Sequence, residues 1–265
     1  GSSVAGLTWG VVYGLIFVYR SGMSIFAETV VARLTLLGDT NQYSRSVYSI
    51  LNLDLSAVVT NNRQVATQIT ESVGAFFYQL SGGDPIAINL GFQVIGFIGI
   101  VIFLRSLAPR VRIPAVLLLT LPSFTIWSSV AGKEAIVILA TGIIGAYIVR
   151  VYQGREIMTI GVILSVLVVY LFKDQYLPAV FFLIAGPIIC RRVKQKTFAL
   201  LLAGVASLVM LYLLRDTVDA LSFEILRHFE HGQGSTRLPY WAEQYDVFKK
   251  APYGMFQGFF GPTFV

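Results

Sequence analysis

The sequence predicts an all-α fold, a polytopic bundle of about seven transmembrane helices with amphipathic interfacial helices on the outer face. Of the 265 residues, 55% are hydrophobic and only 13% are charged, about half the roughly 25% charged share of soluble domains. So few charged side chains cannot cover a soluble core, and the surplus apolar surface is expected to face lipid. The third observation is a series of apolar runs separated by loops that are alternately rich and poor in basic residues. Residues 1–265 are therefore predicted to form a single integral-membrane domain.

Seven apolar runs are long enough to cross a bilayer when they borrow flanking residues, because a spanning helix needs about 20 residues. The runs are 4–19, 86–104, 113–130, 135–152, 157–172, 176–190 and 197–214. Apart from Arg150 near one end, they contain no charged side chain. The predicted spans thus carry almost no charge at mid-depth.

The loops between these runs predict the orientation. Nine Lys or Arg residues lie in the loops of one side: Arg105, Arg110, Arg112, Arg150, Arg155, Arg191, Arg192, Lys194 and Lys196. The short turns and span ends of the other side contribute three, which are Lys133, Lys173 and Arg215. By the positive-inside rule the nine are cytoplasmic. The N-terminus is then cytoplasmic, and the segments 20–85 and 215–265 lie on the outer face.

Each outer segment contains a predicted amphipathic helix. Apolar residues recur at three- and four-residue spacing from Val65 to Leu80, which is typical of a helix lying flat on the membrane interface. A similar pattern from Val218 to Phe229 predicts another such helix. The tail after Ala251 is rich in Gly, Pro and Phe, and we expect it to be re-entrant or to end a truncated chain.

Several classes of function are excluded by composition and motifs. Because Cys190 is the only cysteine, neither an internal disulfide nor a zinc site built on paired cysteines is possible. P-loop, dinucleotide-binding and zinc-protease patterns are absent, which argues against nucleotide-driven transport. His228 and His231 have helical spacing, but two histidines are too few for a metal site and none is predicted. The net charge of +6 is assigned to membrane orientation, and nucleic acid is not an expected partner.

Basic residues on the outer side are the candidate ligand-binding residues, because the positive-inside rule disfavours them there. Ser128, Ser129 and Lys133 belong to a turn that opens a new helix, where free amides and a cation can bind an anion such as phosphate. Outer cations are expected to share this face: Lys133, Lys173, Arg215, Arg227 and Arg237. The structural alternatives are lysines that snorkel to headgroups and surface ion pairs worth about 0 to 1 kcal/mol.

Asp39 is the candidate base. It lies in a turn soon after the first span, and a carboxylate there can take a proton from a hydroxyl. Turn formation alone also explains a Gly-Asp pair, so both interpretations stay open.

Two short motifs resemble those of a known group. Residues 121–129, Leu-Pro-Ser-Phe-Thr-Ile-Trp-Ser-Ser, leading into Gly132-Lys133-Glu134, resemble a segment of bacterial O-antigen polymerases and related membrane glycosyltransferases that use lipid-linked sugars. Asp39 with Tyr43 resembles the acidic position in the first outer loop of GT-C-like enzymes. The resemblance covers these motifs and the layout of spans over about the first 180 residues. Such proteins usually have more membrane helices, which implies a short relative or a truncated piece.

The resemblance implies transfer of a sugar or oligosaccharide from a polyprenyl phosphate or pyrophosphate carrier to an acceptor glycan or lipid. The location would be the outer face of the bacterial cytoplasmic membrane, in contact with membrane lipids. No cofactor is implied, because the activated bond already lies in the donor. Asp39 would be the catalytic base. The phosphate-binding set would be Lys133, Lys173, Arg215, Arg237, Ser128 and Ser129. Candidates for sugar contacts, or for an ordinary aromatic belt, are Trp127, Tyr176, Tyr240 and Trp241.

Two other functions stay open. A transporter or channel for an anionic solute would use the same outer cations for selectivity. The nearly uncharged spans argue against a transport path, whereas Pro122 and Pro187 allow the broken helices that transporters use. A third alternative, which the composition does not exclude, is a noncatalytic subunit of an envelope assembly.

Overall fold

The computed structural model describes residues 2–32, 40, 43, 62–155, 159–173, 176–192, 196–230 and 243–253. Within these ranges all regular secondary structure is helical, in agreement with the predicted all-α class. The helices are α1 (Ser2–Phe26), α2 (Asn62–Ser81), α3 (Pro85–Ser106), α4 (Pro109–Leu119), α5 (Pro122–Trp127), α6 (Lys133–Tyr152), α7 (Thr159–Lys173), α8 (Leu177–Arg192), α9 (Lys196–Leu213), α10 (Arg215–Glu230) and α11 (Asp246–Lys249). The chain divides into two compact units, Gly1–Ile184 and Ala185–Val265.

Three helical segments in the described part of the chain are long and apolar enough to cross a membrane: Trp9–Val31, Pro85–Ser106 and Lys133–Tyr152. This supports membrane character, but the predicted seven spans are not confirmed. Shorter apolar helices lie at Ile160–Lys173 and Gly204–Leu213.

The apolar run 113–130 is not one helix. It is divided between α4 and α5, which are separated at Thr120 and Leu121, and it leaves helical structure again after Trp127. Pro122 occupies the first turn of α5, where its missing N–H costs nothing but where it prevents α4 from continuing. Hydropathy alone does not detect this break.

The first helix is longer than the predicted run 4–19. Helix α1 continues through Arg20 to Phe26 and then as a π-helical turn, Ala27–Val31. Arg20, Ser24 and Glu28 are four residues apart and therefore lie on one helix face. Arg20 and Ser24 are buried, so protein rather than lipid covers this polar face. The segment 20–31 thus belongs to a membrane-sized helix, whereas the sequence had predicted it as part of the outer loop.

Helices α3 and α6 run parallel and pack closely through glycines. A Cβ on Gly142 would overlap the carbonyl oxygen of Gly99, and a Cβ on Gly96 would lie 3.1 Å from the carbonyl oxygen of Ser128. Small residues at helix crossings are typical of membrane bundles, because they let backbones approach closely. This contact fixes the turn before α6 against the middle of α3.

Helix α2 confirms the helix predicted from the 65–80 pattern, with a partly different buried face. Val65 is buried as expected, and Ala66 packs with Val137 and Phe172 from the adjacent ends of α6 and α7. Thr70 and Glu71 are buried as well. Helix α2 therefore buries some of its own polar side chains as well as apolar ones at this end of the bundle.

In the second unit, α10 confirms the helix predicted from the 218–229 pattern. Asp219 is buried and accepts a hydrogen bond from the backbone N–H of Tyr245 (2.9 Å). Asp246 is also buried and pairs with Lys250 at 2.8 Å. The Asp219 carboxylate ties the start of α11 to α10, whereas the Asp246 carboxylate bonds within residues 243–250.

Candidate functional site

The non-helical turn between α5 and α6 is fixed by polar side chains of α1. Ser128 and Ser129 are buried, and their carbonyl oxygens accept hydrogen bonds from Arg20 Nη2 (3.0 Å) and Ser24 Oγ (2.7 Å). The last carbonyls of a helix lack partners within that helix, and a guanidinium is a strong donor to them. Ser128 and Ser129, the two serines predicted to bind phosphate, thus hold this turn against α1 through their backbone carbonyls.

Asn89 of α3 joins the same turn to α1. Its Oδ1 accepts from the backbone N–H of Ala131 (2.7 Å), and its Nδ2 donates to Oε2 of Glu28 (2.8 Å). Asn89 is fully buried. The Asn89 side chain thus provides an acceptor for a backbone N–H of the turn and holds the carboxylate of Glu28 near the turn.

Lys133 begins α6 directly after this turn. Its Nζ donates to Oγ1 of Thr67 on α2 at 2.8 Å. Glu71, one helical turn after Thr67, is on the same face of α2 and is buried, whereas Thr67 and Lys133 are partly exposed. Lys133 therefore lies beneath α2 and is held by protein oxygen.

Lys173, at the end of α7, pairs with Glu134 at 3.2 Å (Nζ to Oε1). Their side chains are 27% and 45% exposed. Because Glu134 follows Lys133 in the chain, this ion pair brings the two predicted lysine turns together. An anion bound here would share the lysines with Thr67 and Glu134.

Tyr43, the described residue of the first-loop motif, packs beside the same turn. It is buried with Ala131 and Ala135, which flank Lys133, and its carbonyl lies against Gly74. Asp39, the candidate base, lies outside the described residues. Tyr43 follows Asp39 by four residues in the sequence. The position of Tyr43 therefore places this part of the first loop next to the turn that precedes Lys133.

The other predicted site residues are distributed unevenly. Trp127 and Tyr176 are 41% and 53% exposed, as either a sugar contact or a belt residue requires. Arg215, in the second unit, stacks on the rings of Tyr212 and Tyr245 at 4.5 and 5.6 Å. Several predicted residues lack described side chains: Arg227, His228, His231, Arg237, Tyr240 and Trp241. The convergence of five cations thus stays a prediction.

Arg20 is the residue that the sequence prediction missed. It is 0% exposed and lies inside the candidate span Trp9–Val31, so the expectation of nearly uncharged spans was wrong. Its Nε and Nη1 have no hydrogen-bond partner, and neither do Ser129 Oγ and Gln93 Oε1 nearby. The spacing of Arg20, Ser24 and Glu28 was the available signal, but it was assigned to a loop.

Among the residues that the structure describes, no group of three or more His, Cys, Asp or Glu could hold a metal ion. In the second unit, Tyr245 donates to Asp216 Oδ1. This hydrogen bond, together with desolvation and the charge of Asp216, raises the pKa of Tyr245 above its usual 10.0. Comparison with known proteins finds no matching family model, curated protein or solved structure.

Proposed function

We propose that the chain is a membrane glycosyltransferase or polysaccharide polymerase. It transfers a sugar or oligosaccharide from a polyprenyl phosphate or pyrophosphate carrier to an acceptor glycan or lipid. The observation that carries the proposal is the contact between Glu134 and Lys173, which joins the start of the membrane-sized helix α6 to the end of the shorter apolar helix α7. An anionic headgroup can reach such a site while its lipid chain stays in the bilayer.

The reaction follows from groups of the chain and the donor. The acceptor hydroxyl oxygen forms a bond to the anomeric carbon, and the bond from that carbon to the phosphate oxygen breaks. The carrier phosphate leaves with the electron pair, and Asp39 takes the hydroxyl proton. Lys133 and Lys173 stabilise charge on the departing phosphate, an effect typically worth about 10²–10³ in rate per donor.

We place the site on the outer face of the bacterial cytoplasmic membrane, on the charge distribution of the loops. Trp127 and Tyr176, the exposed aromatic residues of the first unit, contact the sugar. No cofactor takes part.

The test uses the full chain in nanodiscs with synthetic farnesyl-pyrophosphate-linked glucose, galactose and N-acetylglucosamine, each serving as donor and acceptor. Release of farnesyl pyrophosphate is measured for the wild type, Asp39→Asn and Lys133→Ala. Lys249→Ala, an exposed lysine of the second unit, is the matched control. We expect losses of about 100-fold in both site variants and none in the control. No release from any donor overturns the function, and full turnover in both site variants overturns the assigned roles.

A transporter for an anionic solute is the second candidate, favoured by the intramembrane charge of Arg20 and the helix break at 128–132. Interrupted helices and charged groups at depth are typical of substrate paths. Uptake of a sugar phosphate into sealed proteoliposomes, without any glycan product, would support transport over glycosyl transfer.

A further inference from the structure

The guanidinium of Arg20 has more hydrogen-bonding capacity than its protein neighbours use. An arginine has five N–H donors and stays charged in proteins. Nη2 of Arg20 donates to Ser128, whereas Nε and Nη1 are buried without a partner. Buried donors of this kind need an oxygen acceptor, because leaving them unpaired in a low-dielectric interior is costly.

Glu28, the acidic residue on the same face of α1, is too distant to act as the counter-ion. It follows Arg20 by eight residues, or about 12 Å along a helix with 1.5 Å rise per residue. Its Oε2 is already bound by Asn89. The carbonyl that Arg20 binds is uncharged, so the positive charge is not neutralised by either contact.

Other unused polar groups lie at the same crossing of α1, α3 and the turn. Ser129 Oγ and Gln93 Oε1 are buried and unpartnered. Gln93 Nε2 bonds the carbonyl of Phe17 at 3.4 Å, one turn before Arg20. Gly96, almost one turn after Gln93, faces the carbonyl that Arg20 binds.

These groups define the chemistry of a ligand. Guanidinium N–H groups and the Ser129 hydroxyl are donors to oxyanions, and the Gln93 oxygen accepts a hydrogen bond. A monoprotonated phosphate offers several acceptor oxygens and one O–H donor. A carboxylate lacks that donor and would leave Gln93 unsatisfied.

We propose that Arg20, Ser129 and Gln93 form an oxyanion site inside the helix bundle that binds a phosphate group. The site shares Ser129 with the turn before α6 but includes neither Lys133 nor Lys173, and it does not depend on glycosyl transfer. Its phosphate belongs either to free inorganic phosphate or to the headgroup of a lipid.

The experiment measures binding to the full chain in phosphatidylcholine nanodiscs. One arm titrates radiolabelled inorganic phosphate, and the other adds phosphatidic acid to the discs and follows the midpoint of thermal unfolding. Arg20→Gln and Arg20→Lys test the guanidinium. Ser129→Ala removes a hydroxyl that bonds nothing, so it keeps the test valid if the arginine variants do not fold. Arg105→Gln, an exposed arginine of α3, is the control.

We expect the arginine variants to weaken phosphate binding about tenfold or more, and Ser129→Ala to weaken it about threefold. The control should bind like the wild type. A response in the phosphate arm identifies the free anion, and a response confined to phosphatidic acid identifies a lipid headgroup. The proposal is overturned if neither arm responds, or if Arg105→Gln reduces binding as much as the site variants.

Discussion

The ion pair between Lys173 and Glu134 joins the last turn of α7 to the first turn of α6 at 3.2 Å. Helix dipoles favour a cation at a C-terminal end and an anion at an N-terminal end, so both residues occupy electrostatically favourable positions. The pair needs no ligand to explain it. For the proposed enzyme, Lys173 is therefore a cation that donor phosphate must share with Glu134.

Removing the competing carboxylate should strengthen anion binding at this site. We expect Glu134→Gln to tighten binding of farnesyl pyrophosphate about two- to fivefold, the equivalent of a partly exposed ion pair. Lys173→Gln should weaken binding. Calorimetric titration of the full chain in nanodiscs measures both, with farnesol as the uncharged ligand. Glu243→Gln, which removes one of the two carboxylate partners of Lys249 in the second unit, should change nothing. Weaker binding in Glu134→Gln would contradict a phosphate role for Lys173.

Asn89 is expected to be the most sensitive polar residue around the turn. Asn89→Ala leaves the buried N–H of Ala131 without its acceptor and Glu28 without its donor. Such losses cost about 1–3 kcal/mol. Unfolding titrated with SDS in mixed micelles measures the change in free energy. Gln79→Ala, an exposed amide on α2, should stay within about 0.5 kcal/mol. Equal effects in the two variants would remove Asn89 from its bridging role.

Local patterns predicted the helices well, because periodicity is a property of neighbouring residues. The 65–80 and 218–229 patterns both correspond to helices. Long-range packing decided the rest. A hydropathy rule ends the first span at Arg20, whereas the helix continues because α3 and the 128–129 turn cover its polar face.

The candidate site likewise combines features that the sequence pattern predicts with contacts that only long-range packing decides. Alternating loops predicted that the Lys133 and Lys173 turns lie at one end of the bundle, and the pairing of Glu134 with Lys173 fits that topology. Their partners were not predictable, since Thr67 and Lys133 are 66 residues apart. Nothing local to either residue indicates that contact.

The close approach of α3 and α6 predicts a strong effect at one glycine. Gly142→Ala places a methyl group against the backbone carbonyl of Gly99, and backbone cannot move aside as a flexible side chain can. We expect a loss of about 1–3 kcal/mol from overpacking, measured by the same SDS titration.

Gly14→Ala is the matched control for this substitution. It also lies within a helix, but a Cβ there meets nothing within 4 Å. Its stability should be unchanged or increased by about 0.5–1 kcal/mol, because alanine favours the helix. If Gly142→Ala behaves in the same way, the two helices do not pack as closely as described.

Tyr245 provides a pH-dependent test in the second unit. Its hydrogen bond to Asp216, with the other contributions described, raises its pKa above 10.0, so the folded state favours the protonated phenol. The associated stability is fully present below pH 10 and is lost as pH rises through the elevated folded pKa. Asp216→Asn should lower the pKa of Tyr245 toward its usual value, because it removes the carboxylate charge.

The measurement is a titration of tyrosinate absorbance against pH. Subtracting the titration of Tyr245→Phe from that of the wild type or of a variant isolates the contribution of Tyr245. Glu243→Gln, which removes a carboxylate not bonded to Tyr245, should leave the elevated pKa in place. An unchanged titration in Asp216→Asn would show that the carboxylate charge of Asp216 does not cause the shift.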